Sequence, residues 1–480
     1  MKKKWTITLT QGCAIIMIAY VVFTIGLYFI AGDEFKYRVS DKSIIGVEGN
    51  VSGDMLQKDN SIEQTFVPEM DFIGDFSFKV ATFGRHNTGT VRVKLLDDAD
   101  QSVLLDKQLD ISRFQDNAYV TVKPEKLIKS VKGKSLRILV VSETGTQDNA
   151  VTLWYNNATK IPNQQLILKG KPVNGVLCFN VSEKEVLPYG KYYFEFMGAI
   201  GLALLAYCAN LVYRRKKSKK SLGLTIINAF TRYQFLLSQL VSRDFKTKYK
   251  RSVLGVLWSF LNPLLTMAVQ YVIFSTIFKS NIPNFAVYLL IGIVFFSFFS
   301  EATGMGLLAI VGNSSLITKV YIPKYIFPVS RTLSSTINLL ISMIPLILVV
   351  FLTRTPITPA LLLLPFSIIC AIVFCIGMSF ILSAAMVFFR DMQFLWGVVS
   401  MMWMYATPIF YPETIIPEKY MIIFKMNPLY HFIHFSRTVI MDGVSPEPKA
   451  YLYCLIAAFV PLVIGAVIFK KTQDKFVLNM

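Results

Sequence analysis

One stretch limits what this chain can fold into more than any other: RDFKTKYKRSVLGVLWSFLNPLL at 243–265, continued as an apolar span to Phe278. A run of that length crosses the ~30 Å of bilayer hydrocarbon as a helix. Five cations stand at its start, Arg243, Lys246, Lys248, Lys250 and Arg251, against one acid, Asp244. Lys and Arg resist translocation and are drawn to anionic headgroups, so this basic collar belongs at the cytoplasmic face. Comparable runs recur at about 286–311, 327–352, 360–389, 394–411 and 450–470, and two more, 12–31 and 194–213, lie upstream. The expected architecture is a mainly α-helical polytopic membrane protein with about eight membrane helices.

Charged residues make up only 16% of the chain, where soluble proteins carry about 25%. A formal charge of +19 raises nucleic acid as a partner, but its placement argues against one. The segments assigned to the cytoplasm hold twenty-one Lys and Arg opposed only by Asp244, Asp391 and Asp474, whereas 32–190 balances 20 basic with 21 acidic residues. That asymmetry is the positive-inside signature, and no nucleic-acid interface is expected.

Met1–Lys4 is a basic start, and the 20-residue run from Gly12 to Ala31 reads as an uncleaved anchor, too long for a signal-peptide core. Residues 32–190 then emerge outside. Their pattern turns to period-two alternation and β-branched runs (76–82, 90–96, 136–141, 151–155), separated by turn clusters such as 84–89 and 97–100. This predicts an extracellular antiparallel β-sandwich, jelly-roll-like. Cys178 is its one cysteine, so the domain must rely on its own core; Cys13, Cys208, Cys370, Cys375 and Cys454 lie in apolar spans. A sugar site would need exposed aromatic platforms beside polar groups. Candidates are Phe83, Arg85, His86 and Asn87 on one loop, with Tyr119, Trp154 and Tyr155 elsewhere; core packing of Trp154 and Tyr119 is the competing reading.

The second span closes on RRKKSKK, a strong cytoplasmic stop. In 224–245, Ile226, Phe230, Tyr233, Leu237 and Leu240 make one apolar stripe on an otherwise polar helix, as in helices lying in the membrane interface. Downstream, Pro412, Pro417 and Pro428 divide 412–440 into two pieces too short to span, which read as re-entrant or interfacial helices on the outer side. The chain thus divides into a start and anchor (1–31), a sandwich (32–190), a second membrane helix with basic linker (191–223), an amphipathic helix with collar (224–252) and a six-span region (253–480). Gly133-Lys134-Ser135 is no phosphate loop, because Ile128 stands where its first glycine is needed. No metal motif, nucleophile or carboxylate pair points to catalysis, and His86, His431 and His434 form no metal site.

Four motifs follow the collar in order: GNSSLITKVYIPKYIFPVSR at 312–331, FFRDMQ at 388–393, ATPIFYP at 406–412 and NPLYHFIHFSR at 427–437. With the collar and six spans, they make residues 225–480 resemble the permeases of type 2 ABC exporters, in particular those exporting lipid-linked cell-surface polysaccharides and teichoic acids. The resemblance implies a half-transporter that pairs with a second copy and two ATP-binding subunits, with ATP and Mg on those subunits and no cofactor in this chain. It implies a coupling helix at 312–326, matched by Leu316, Ile317, Lys319, Val320, Tyr321, Pro323 and Lys324, and a gate formed by the amphipathic helix. The collar then has two compatible roles, orientation and capture of a polyprenyl-linked pyrophosphate by guanidinium and ammonium groups. Trp258, Tyr271, Phe274, Trp403 and Tyr405 either line a sugar path or pack helices together. Glu301, an acid well inside a span, reads as a hydrogen-bonded helix contact ahead of proton coupling. Drug or lipid efflux, and a sensor with a ligand-binding sandwich, are the alternative functions.

Overall fold

The computed structural model describes residues 9–30, 37–39, 48–58, 60–124, 127–186, 188–219, 221–250, 252–277, 284–320, 322–415 and 417–479. Arg251, Tyr321 and the side chains of Ile226 and Phe230 lie outside the described set. The chain separates into two compact units, Lys36–Phe194 and the remainder.

The first unit is an antiparallel sandwich. One sheet runs Lys171–Val173, Leu166–Leu168, Ser61–Phe66, Leu136–Ser142, Thr90–Asp97 and Val103–Asp110. The other runs Tyr37–Val39, Phe179–Val186, Phe72–Ala81, Thr152–Asn156 and Val176–Leu177, with Val51–Ser52, Tyr119–Val122 and Ile128–Lys129 paired beside this path. Alternation sets the register: in Thr90–Asp97 every second residue is buried, and in Leu136–Ser142 the buried positions are 136, 138, 140 and 142. The apolar ones among them, Val91, Val93, Leu95, Leu136, Ile138 and Val140, meet Phe76, Phe78 and Phe179 of the facing sheet in one core. A fully buried Gln64 crosses the gap, its Oε1 accepting from Leu177 N at 2.9 Å while its Nε2 donates to Thr65 O at 2.9 Å, so this polar group satisfies itself between the sheets. Cys178 is buried, and desolvation pushes its thiol up to about 11, which leaves it un-ionised at neutral pH.

The second unit is helical. Among the described residues seven helices are long and apolar enough to cross a membrane: Leu9–Ile30, Tyr193–Lys216, Leu257–Ser275, Phe285–Leu307, Ile326–Leu352, Pro359–Phe388 and Pro448–Asn479. The span expected at 394–411 is instead a 14-residue helix, Met392–Tyr405, about 21 Å long at 1.5 Å per residue. Pro408 explains its early end, since a proline disfavours helical backbone in the residue before it. The span expected from 253 begins at Leu257, after a turn in which Gly255 takes φ +51° and its N–H donates to Ser252 Oγ at 3.0 Å.

Below, α1 denotes Leu9–Ile30, α2 Tyr193–Lys216, α3 Leu222–Tyr249, α4 Leu257–Val272, α5 Phe285–Leu307, α6 Ser314–Lys319, α7 Ile326–Leu352, α8 Leu364–Phe388, α9 Met392–Tyr405, α10 Glu418–Lys425, α11 Pro428–Arg437, α12 Pro448–Thr472 and α13 Phe476–Asn479. The upstream spans α1 and α2 pair through the Tyr20 hydroxyl, which donates to Met197 O at 2.5 Å. Helices α8 and α12 approach so closely at Gly377 and Gly465 that a Cβ on either would strike the other's backbone.

Candidate functional site

The site is built where α3, the segment 312–331 and the bases of α5 and α7 meet. The expected amphipathic helix is present as 28 continuous residues, and the part of its apolar stripe formed by Tyr233, Leu237 and Leu240 packs on protein. Leu240 is buried in one cluster with Ile310, Ile317, Phe327, Phe469 and Phe476, and Tyr233, Leu236 and Leu237 pack against it. The 312–331 segment therefore serves as the floor on which α3 rests.

Two polar ties fix that arrangement. Asp244, only 3% exposed at its side chain, accepts through Oδ1 from Arg243 Nε and Nη2 (3.1 and 3.0 Å) and lies 3.2 Å from Arg331 Nη1 of α7. Arg243 Nη2 also donates to Asn313 Oδ1 at 3.1 Å, while Asn313 Nδ2 donates to Ala309 O at 2.8 Å. One turn on, Lys248 Nζ lies 2.9 Å from Glu301 Oε1 of α5, which also accepts from Asn338 Nδ2 of α7 at 2.5 Å. Tyr249 extends the chain, donating to Asn338 Oδ1 at 2.8 Å and sharing a hydrogen bond with the Ser259 hydroxyl of α4.

These ties divide the collar. All four described cations are exposed, but Arg243 and Lys248 are engaged by carboxylates, whereas Lys246 and Lys250 form no ion pair among the described residues; Arg251 lies outside the described residues. Glu301 is a hydrogen-bonded interhelical contact whose partner is a collar lysine, a pairing that spacing along the chain does not disclose.

The coupling candidates divide similarly. Helix α6 buries Ile317 and half-buries Leu316 against the α3 floor, while Lys319 and Val320 face outward. Pro323 is half-buried. Lys324 turns inward: its Nζ donates to Gln473 O at 2.6 Å and sits 5.8 Å from the Phe476 ring. Tyr321 lies outside the described residues. Arg331, Asn313 and Asn338 are not among the sequence candidates, and a lone polar residue in apolar context is the signal that marks each; Phe476 carries no such signal.

At the far end of the bundle, α10 and α11 are the two short helices expected within 412–440. Asn427 caps α11 and binds the 406–408 turn, accepting from Trp403 Nε1 and donating to Thr407 Oγ1, both at 2.7 Å. Arg437, buried over the face of Tyr288, donates to the carbonyls of Pro408 (2.7 Å) and Ile409 (3.1 Å). The motifs at 406–412 and 427–437 thus dock on each other. Trp403 is held in this joint and packs on Phe299 at 5.2 Å between centroids, and Phe274 stacks on Phe410 at 5.7 Å. Trp258, Tyr271 and Tyr405 stand exposed on α4 and α9.

In the sandwich, Phe83 is exposed with Arg85 5.9 Å over its ring, His86 is exposed, and Asn87 is buried. Asp116 holds this loop's start, Oδ1 accepting from Thr82 N (2.6 Å) and Phe83 N (2.9 Å), and these bonds depress its carboxyl pKa. The adjacent Asn117 accepts from Trp154 Nε1 at 2.8 Å. Half-buried Trp154 and exposed Tyr119 flank Lys79, which lies across from Tyr119 in the ladder and 6.0 Å from the Trp154 ring. Loop and aromatic face are thereby joined through 116–117. Tyr155, one position on, packs against the core and leaves this surface.

Residues 235–441 match the ABC-2 type transporter family. The chain is 33% identical over 245 residues, half of its own length and 93% of the relative's, to the O-antigen export system permease protein RfbA of Klebsiella pneumoniae. It is 29% identical over 255 residues to the protein of that name from Myxococcus xanthus, with 52% of this chain and 97% of the relative covered. Against the polysialic acid transport protein KpsM of Escherichia coli, identity is 26% over 240 residues, covering 49% and 92%. With a third of the residues identical across nearly the whole of such a relative, and with the helical bundle and paired short helices in place, the chain belongs to the ABC-2 type transporter permeases.

Proposed function

We propose that this protein is the permease subunit that exports a polyprenyl-linked cell-surface polysaccharide or teichoic acid from the cytoplasm, powered by ATP and Mg on a separate ABC subunit. The observation carrying this reading is the likeness to export permeases over more than nine-tenths of their length; the family match starts at residue 235 and so takes in the collar, coupling segment and short-helix pair together. Drug or lipid efflux is disfavoured because the relatives are named for O-antigen and polysialic acid.

In the working assembly two copies of the chain join two ATPase subunits, with both termini cytoplasmic and the sandwich outside. The exposed apolar faces of α4 and α9, carrying Trp258, Tyr271 and Tyr405, supply the surface for the second copy and the polymer path. Lys246 and Lys250 meet the lipid headgroups and carrier pyrophosphate as exposed point charges, where electrostatic attraction adds about 1 kcal/mol per cation. Lys319 and Val320 present the coupling segment to the ATPase. Differential affinity of that motor for ATP and ADP biases the permease between states. The Tyr119–Lys79–Trp154 face with the adjoining Phe83 loop receives the emerging glycan.

Depletion of the protein in its native cell, with surface and internal lipid-linked polymer quantified together, tests the export reading. Surface loss with internal accumulation is expected. Loss of both pools, or change in neither, refutes it. Trp154→Ala in the full chain should weaken retention on a column of the purified polymer, and unchanged retention removes the glycan assignment.

A further inference from the structure

Arg243 and Asp244 are adjacent on α3 yet reach opposite flanks of the coupling segment. Arg243 bonds Asn313, just before α6, and Asp244 bonds Arg331, in the first turns of α7. Between these ties, α3 lies on the segment through Leu240, with Tyr233, Leu236 and Leu237 packed alongside. We propose that Asp244 is a positioning residue for export: it locks the amphipathic helix and the coupling segment into one lever, so that displacement delivered at α6 moves α3 directly.

The argument is electrostatic. A carboxylate with 3% side-chain exposure is tolerable only while cations stay on it, and both of its partners, Arg243 and Arg331, converge on the same oxygen. Sliding α3 away from α7 would leave a buried charge with half its compensation, and lifting it from α6 would strip Asn313 of the Arg243 bond. Small relative motion is therefore disfavoured at both flanks at once, and the two elements move together or separate altogether. The Lys248–Glu301 pair, one turn further along α3, adds a tie to α5.

This proposal rests on the assignment of 312–326 as the motor contact, so the test separates the two. The transporter is purified from native membranes through a tag on this chain; ATP hydrolysis and co-purifying ATPase subunit are measured on it, and surface polymer is measured on the cells. Val320→Asp, on the exposed side of the segment, should lose the ATPase subunit; if the subunit stays bound and hydrolysis still drives export, the coupling assignment falls and the lever with it. Asp244→Asn should keep the subunit and its hydrolysis but lower polymer exported per ATP by roughly 5- to 150-fold, the range of ordinary allosteric couplings. Asp244→Glu, retaining the charge, should recover part of that loss. Where Asp244→Asn fails to accumulate, Arg243→Gln decides, since it spares the Asp244–Arg331 pair while removing the bonds of Arg243 to Asn313 and to Asp244; a smaller loss per ATP is expected. If Val320→Asp sheds the ATPase while the accumulating Asp244→Asn, or Arg243→Gln in its place, exports at the wild-type ratio, the lever alone is overturned. A loss of export merely proportional to lost protein overturns it equally.

Discussion

Glu301→Gln tests whether the collar is divided as described. The substitution keeps an acceptor for Asn338 Nδ2, so the change is confined to the charge facing Lys248 Nζ at 2.9 Å. Exposed ion pairs contribute ~0–1 kcal/mol and removal of one partner from a buried pair costs ~3–5 kcal/mol. Here the side chains are 41% and 25% exposed, so after discounting for solvent screening about 1–2 kcal/mol is expected. Lys248→Gln should cost about the same, and the double substitution no more than either single one, because both remove one interaction. Unfolding of the purified transporter in mixed micelles, read as a double-mutant cycle, should thus give a coupling of ~1–2 kcal/mol that shrinks with added salt. Lys246→Gln and Lys250→Gln should alter stability by less than ~0.5 kcal/mol while lowering export. A Lys248–Glu301 coupling below ~0.3 kcal/mol, or Lys246→Gln as destabilising as Lys248→Gln, would refute the division.

Two further predictions concern the scaffold. Gly377→Ala should reduce stability by about 1–3 kcal/mol, because its Cβ would stand 2.5 Å from the Pro461 carbonyl carbon and 2.6 Å from Leu462 Cα, forcing α8 from α12; a wild-type unfolding midpoint would contradict this close crossing. In the sandwich, backbone hydrogen bonds from Thr82 and then Phe83 hold Asp116 below the usual carboxylate pKa. Since its folded pKa is depressed, its stabilising effect is full above the unfolded value of about 3.9 and is lost as pH falls through the folded value. Protection of the Thr82 and Phe83 amides relative to their intrinsic exchange rates should fall below about pH 4 in wild type, and Asp116→Asn should remove that pH dependence; the same acid response in the variant would rule out Asp116 as its cause.

Apolar run length and period-two alternation made the bundle and the sandwich legible, because both patterns follow from burial of local faces. Chain direction at particular residues was less so. The 394–411 run reads as a span by composition, yet Pro408 ends the helix at Tyr405, a local cue that the hydropathy of the run masks. The collar was visible as a block of charge, but which cation is engaged depends on Glu301 and Asp244 finding Lys248 and Arg331 across helices. The six residues of α6 are too few for a hydrophobic period, so nothing in 312–326 distinguishes inward Ile317 and Lys324 from outward Lys319 and Val320. Trp154 illustrates a mixed outcome: alternation turns it outward, and only the contact with Asn117 shows that one edge is occupied.

Lys324 leans on a carbonyl 149 residues further along the chain, and the Phe476 ring closes the same support. During synthesis, therefore, the packing around Lys324 cannot be completed when 312–331 leaves the ribosome; it must wait for the chain that follows α12. A permease interrupted before that point would hold most of its spans but leave Lys324 without this support. Under the proposed assignment of 312–326, the ATPase contact is completed only once α12 and Phe476 are in place.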